Sequence, residues 1–581
     1  MRRTRQRMGE ARGESFAQHG VASAAKRGRR DRDALLILLA SVLVAYYSVF
    51  SAGFTNWDDD RFFTANPLFQ GPVGRYVVAA LTQVQFQAFH PLHLLSYLPD
   101  RLFWRDHPAG FHALNLALFA CALVLGFRLL RRRVETWPAL GAMLLVGLHP
   151  LAVESVAWAV GRKDILALLL TLAVLSVEDR ATDTPGSGQD RAAGGQVRTR
   201  KSLAFALGLA LLACLAKTSA VVLPIVLFAW LHFARRLPAR AAMRRSLPFA
   251  AIALVFAVPV PLIWRHSQMI QPGRPLPLVL DVLGTLGVYA RRALAPIDLS
   301  PVYPTFDPGQ VLAGVAMGGA LLLILAFWQH LPAAAKFAAV AFIGCLLPVA
   351  NLTPLYFRFA DRYALLALAM LAWPIAALLA WPKARKAGMV VVPVLLFLEL
   401  WSTSRLVPVW KDSLSLWQHA VATQPRALFA HLKLGETFRA EGRFHEAAAS
   451  YLQAGQIEPG GLKGPAGLLH TLGESAEADG RLPAGTTRQW EQTIGKPGFD
   501  AHQMATLLDS VEASDCHSCS EALLWLALRM FPQSDTSLVG FAGKALDRGR
   551  TATAMVYLGE IRNPNTEGLS EIIRRLSAPT K

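Results

Sequence analysis

The sequence predicts an all-α protein, a polytopic bundle of membrane helices followed by a short helical repeat domain. Apolar runs of about twenty residues recur between short polar breaks, the length a helix needs to cross a bilayer. Hydrophobic residues make up 53% of the 581-residue chain and the mean hydropathy is +0.34, so these runs dominate the composition. From Trp410 onward the runs stop and the composition becomes that of soluble helices. The net charge of +19 does not point to nucleic acid, because the basic residues sit in short runs between apolar segments, where they set topology. No recognisable nucleic-acid-binding motif accompanies them.

Residues 1–33 hold ten Lys/Arg against four Asp/Glu with no apolar pattern. They read as a disordered basic tail that keeps the N-terminus in the cytoplasm. No small-x-small cleavage site follows, so the run Ala34–Phe50 is expected to remain as an uncleaved anchor. The membrane domain is expected over 34–409, with a first outer loop at 51–109. Within that loop, Tyr76, Phe86, Phe89, Tyr97 and Trp104 alternate with polar residues, which suits amphipathic helices lying at the membrane surface.

Further crossings are expected near 110–130, 138–158, 165–178, 202–215, 219–234, 247–264, 310–328, 336–350, 363–381 and 388–407, about eleven in all. Arg131-Arg132-Arg133, the polar linker 179–201 and the basic loop Arg235–Arg245 mark cytoplasmic turns. The stretch 278–297 has its apolar residues on one face and contains Asp281, Arg291 and Arg292, so it is expected to be interfacial or re-entrant. This parity places 410–581 on the exoplasmic side. Pro150, inside the third run, is expected to kink it.

In the C-terminal region, Leu434-Gly435, Phe438, Gly442, Phe444, Ala447, Tyr451, Ala454 and Pro459 stand at the spacing of one 34-residue tetratricopeptide helix pair over 428–461. Trp417, Ala420 and Pro425 repeat its closing half 34 residues earlier. Such units need neighbours to bury their faces, so a short solenoid is expected over 410–581. Cys121, Cys214 and Cys345 lie in apolar runs; Cys516 and Cys519 flank His517 as a disulfide or a fragment of a metal site, which needs four ligands.

The residues that run against membrane economy gather at the expected outer ends of spans. Asp58, Asp59 and Asp60 follow the first span directly. Arg162, Lys163 and Asp164 occupy the turn between spans three and four, Lys217 the turn between five and six, and Arg358 and Arg362 the loop before Tyr363. Basic residues on that face oppose the positive-inside bias, and an anionic headgroup or phosphate is their natural partner. Ordinary snorkelling or ion pairing is the structural alternative. His90, His93, His112, Asn115, His149 and Glu154 add hydrogen-bonding groups near the same face.

Taken together, Asn56-Trp57-Asp58-Asp59, His90-Pro91-Leu92-His93-Leu94-Leu95, His149-Pro150-Leu151 through Trp158, Arg162-Lys163-Asp164 and Ala360-Asp361-Arg362-Tyr363 resemble the transmembrane-and-tetratricopeptide O-mannosyltransferase-like proteins, of the GT-C type. The resemblance covers about 35–460. Gly161 departs from it where an acid is usual, and Thr218 where a Pro often follows the Lys. It implies a GT-C-like bundle, a mannose-like sugar donated by a polyprenyl phosphate, and a protein or other hydroxyl acceptor on the exoplasmic face. Asp58 or Asp59 would act as general base, with the cations on the leaving phosphate. Adjacent carboxylates equally suit a divalent cation, Mg²⁺ or Mn²⁺. The competing readings are a membrane-anchored repeat scaffold and a lipid or ion transporter. The latter often shows internal symmetry, which is not evident here.

Overall fold

A computed structural model describes residues 26–182 except 87 and 106, 199–261, 276–304, 309–458 except 354, isolated positions between 467 and 561, and 568–577. Among the described residues the chain is helical, with no strand and one isolated bridge, Gln85–Ala88. Five helices are long and apolar enough to cross a membrane: Lys26–Ser51, Pro108–Arg131, Gly309–Ala326, Asp361–Ala380 and Pro382–Lys411. Thr136–Gly147 and Pro150–Ala157 make a sixth if counted as one span; they bend by 55° at the proline, which cannot donate the helical hydrogen bond. The other stretches expected to cross are also helices, among them Arg162–Ala181, Arg200–Ala216 and Ala239–Ala257, but they are shorter or carry charged residues at their ends.

The spans expose apolar side chains, as lipid-facing helices do. Val390, Phe397, Leu398 and Trp401 on Pro382–Lys411 are all more than half exposed. Small residues let the helices approach: a Cβ at Gly126 would lie 2.8 Å from Met143, and one at Gly147 would lie 2.9 Å from Leu123. The helix Leu278–Leu294, read from sequence as interfacial, packs against Gly309–Ala326 through Gly284, Gly287 and Gly314. Arg291 is exposed, but its other two charged residues are not solvated. Asp281 and Arg292 are buried and paired, Asp281 with Arg358 and Arg292 with Asp361 at 3.4 Å.

Contacts divide the chain into two units, Met1–His419 and Ala420–Lys581, so residues 410–419 group with the membrane helices. In the second unit, Leu428–Ala440 and Phe444–Ile457 pack together, with Gly435 flat against the Tyr451 ring. Gly442, at φ +72°, turns the chain out of the first helix in the left-handed conformation that glycine tolerates best. Leu569–Ser577 packs with Val539 and Ala542. The rest of the expected solenoid, including Cys516 and Cys519, lies outside the described residues, as does most of the 1–33 tail and of the 179–201 linker.

Candidate functional site

The site is built on the turn that follows the first span. Thr55 donates its backbone N–H (2.8 Å) and its hydroxyl (2.9 Å) to one oxygen of Asp59, and the Val160 N–H reaches the other at 3.3 Å. Asp59 is therefore buried and committed to holding the turn against the 158–161 corner. Burial pushes its carboxyl up to about 7, against the pull of those hydrogen bonds. Asp58, one residue earlier, points elsewhere. Its side chain is 35% exposed, and its one ion pair is a 3.6 Å approach to the solvent-facing Arg61. Desolvation raises its pKa, opposed by the positive charges of Lys163, Arg61 and Arg362. Two adjacent carboxylates thus separate into a brace and an available base.

The cations divide in the same way. Arg162 is fully buried and uses all five of its N–H donors: Nε on Asn115 (2.7 Å), Nη1 on Ser96 O (2.8 Å) and Asp100, and Nη2 on Asp100 (2.8 Å) and Phe111 O (3.1 Å). It has no donor left for a ligand, contrary to its reading as a phosphate clamp. Arg358 is likewise buried against Asp281, and its carbonyl takes a bond from Asn351. Lys163, by contrast, lies 5.3 Å from the Trp158 ring centroid, and among the described residues no carboxylate is within ion-pair distance of it. Lys217 bonds Asp164 and sits 5.6 Å from the Tyr363 ring. Arg362 is held by Glu154, which accepts from its backbone N–H (2.8 Å) and its guanidinium, and it lies among Trp57, Trp158 and Tyr363 at 5.2–5.8 Å. Asp58, Lys163, Lys217 and Arg362, distant in sequence, thus gather within electrostatic reach of one another.

The histidines are mostly braces. His93 bonds the Tyr97 hydroxyl (2.9 Å), which itself donates to Ala159 O (2.9 Å). His112 donates to Gly53 O (3.2 Å) and Asn115 to Trp158 O (3.0 Å); His149 bridges Leu151 N and Ala293 O, both at 3.2 Å. His90 differs. Its Nε2 meets the Thr218 N–H at 3.1 Å and the Thr218 hydroxyl at 2.9 Å. A backbone N–H can only donate, so this nitrogen is the acceptor and the ring proton sits on Nδ1. Burial beside Lys163 and Lys217 pushes the imidazole down to about 3, leaving it a neutral donor.

Sequence reasoning missed Asp100 and several of the pairings. Asp100, the partner of Arg162, stands beside Arg101 in the short helix Leu98–Phe103, and nothing local marks its distant partner. Asp281 pairs with Arg358 and Tyr303 donates to Asp361 (2.8 Å), contacts with no signature in local pattern. Among the described residues no three His, Cys, Asp or Glu side chains converge as metal ligands. With Asp59 spent on the backbone, one free carboxylate beside three cations is a poor fit to Mg²⁺ or Mn²⁺. No family model matches the chain, and no curated protein matches it.

Proposed function

We propose that this chain is a membrane glycosyltransferase that moves a mannose-like sugar from a polyprenyl phosphate to a hydroxyl of a protein or other acceptor. The observation that carries the reading is the pair left over in the cluster. Lys163 has no counter-ion within ion-pair distance among the described residues, Asp58 has only a long exposed one, and the charges around them are matched. An anionic phosphate beside Lys163, Lys217 and Arg362 would give Lys163 the counter-ion it lacks, with the Nδ1–H of His90 as a neutral donor at its edge.

In the transfer, Asp58 takes the proton of the acceptor hydroxyl as the new oxygen–carbon bond forms at the sugar's anomeric carbon. The bond from that carbon to the phosphate oxygen breaks, and its electron pair leaves with the lipid phosphate. The three cations stabilise the charge that develops there. The membrane crossings number about eleven in this reading, with the N-terminus cytoplasmic and the site and the tetratricopeptide-like unit exoplasmic, where that unit recruits acceptor.

The test is a transfer assay on the full chain in membranes, with a panel of polyprenyl-phosphate sugars and labelled hydroxyl acceptors. Transfer from one donor supports the reading. No transfer from any, with the protein abundant and folded, would favour a repeat scaffold instead.

A further inference from the structure

The residues just after the last span reach back to the acidic turn. Gly53 N–H donates to Lys411 O at 2.7 Å, Asn56 N–H donates to the Ser413 hydroxyl at 2.9 Å, and Trp417 Nε1–H donates to the Asn56 side-chain oxygen at 2.5 Å. The Trp417 ring also meets Trp57 edge-on, with centroids 5.4 Å apart. Asn56 is therefore held from both its backbone and its side chain by a segment more than 350 residues away, two positions before Asp58. On the other side of Asp58, Asp59 is fixed to Thr55 and Val160. The available carboxylate is carried between two anchored residues, and one anchor belongs to the chain that leads out of the membrane domain.

We infer that Ser413 and Trp417 are positioning residues: through Asn56 they set the placement of the Asp58 carboxylate among Lys163 and Arg362. The inference rests on Asp58 being the reacting group proposed above. A carboxylate mispositioned by about 1 Å loses much of its advantage in proton transfer, whereas Lys163 and Lys217 make no contact with the latch and Arg362 meets it only through the Trp57 ring, which Trp417→Phe still packs against. Loosening the latch therefore lowers turnover and leaves donor affinity alone. It also lets Asp58 drift toward water, which relieves the desolvation that raises its pKa.

The test uses the full chain in nanodiscs with Trp417→Phe, which keeps the ring but removes the N–H, and Ser413→Ala. Carbodiimide capture of Asp58 is followed by mass spectrometry as a function of pH, with the exposed Glu446 as internal reference. Both variants are expected to move the Asp58 labelling midpoint toward the ordinary carboxylate value. Where transfer is measurable, turnover is expected to fall about fivefold or more with the donor KM unchanged. A wild-type midpoint in both variants overturns the inference, whatever transfer does. A shifted midpoint in a chain that transfers no sugar supports the latch and counts against the transferase reading, so the two failures are distinct.

Discussion

One helix, Arg162–Ala181, carries a charge cluster at each end, and the two are built differently. Near its C-terminus Asp179 is fully buried and accepts from Arg132 Nε (2.5 Å), from Arg133 and from Trp230 Nε1 (3.1 Å), with Arg235 at 3.7 Å. These contacts commit that carboxylate to its neighbours. At the N-terminus, about 25 Å away along the axis, Arg162 has all its donors used, but its neighbour Lys163 does not, and Asp58 has only one long ion pair. A saturated cluster fastens helices together. An unsaturated one, in a setting where unpaired charge is costly, is the candidate place for a ligand.

The comparison breaks first if the two ends face the same compartment. A reporter inserted between residues 185 and 195 should be active only in the cytoplasm, and one fused after Glu458 only on the exoplasmic side. Cytoplasmic activity of the second fusion would put the C-terminal unit across the membrane from the proposed site.

Next come the saturated residues. Asp179→Asn leaves several guanidiniums facing a neutral group, and Arg162→Ala strands Asp100 in a buried position. Each is expected to cost about 3–5 kcal/mol and to show as lost abundance and a lower melting temperature. Near wild-type stability in either would mean that saturation is not what these clusters are for. Lys163→Ala should do the opposite: unchanged melting temperature, with the KM for the lipid donor raised about tenfold, the size of one lost charge-assisted hydrogen bond. Lys217→Ala lies between, since it also strands the buried Asp164, and should lower both stability and donor affinity.

The last effect is one of pH, and it concerns Asp59. Its folded pKa, about 7, stands above the ordinary value of 3.8, so the native state favours the protonated form. The stability this contributes is complete below pH 3.8 and is lost as pH rises toward 7. The melting temperature of the wild type relative to Asp59→Asn should therefore be most favourable near pH 4 and decline by pH 7. A difference that does not vary with pH would show that Asp59 is not buried as described.

Much of this was legible in the sequence. Hydropathy marked the apolar helices, Pro150 marked the break in the third, and charge at the ends of apolar runs singled out Asp58, Lys163, Lys217 and Arg362. What the sequence did not carry was direction. Arg162 and Lys163 are adjacent and chemically alike, yet a helix start turns one into the core and the other toward Trp158. Asp58 and Asp59 are separated by the same kind of turn. Nor does a local pattern reveal that Asp100 closes on Arg162, or that Asn56 meets Ser413 and Trp417, because those pairings depend on how distant helices pack.

The central claim is that Asp58, and not its buried neighbour, is the reacting carboxylate. Asp58→Asn keeps the side chain's shape and removes its charge. Turnover measured with a saturating polyprenyl-phosphate sugar, alongside donor binding by the same protein, should fall by about 10²-fold or more with binding retained. Full turnover in Asp58→Asn would take the carboxylate out of the mechanism and contradict the account.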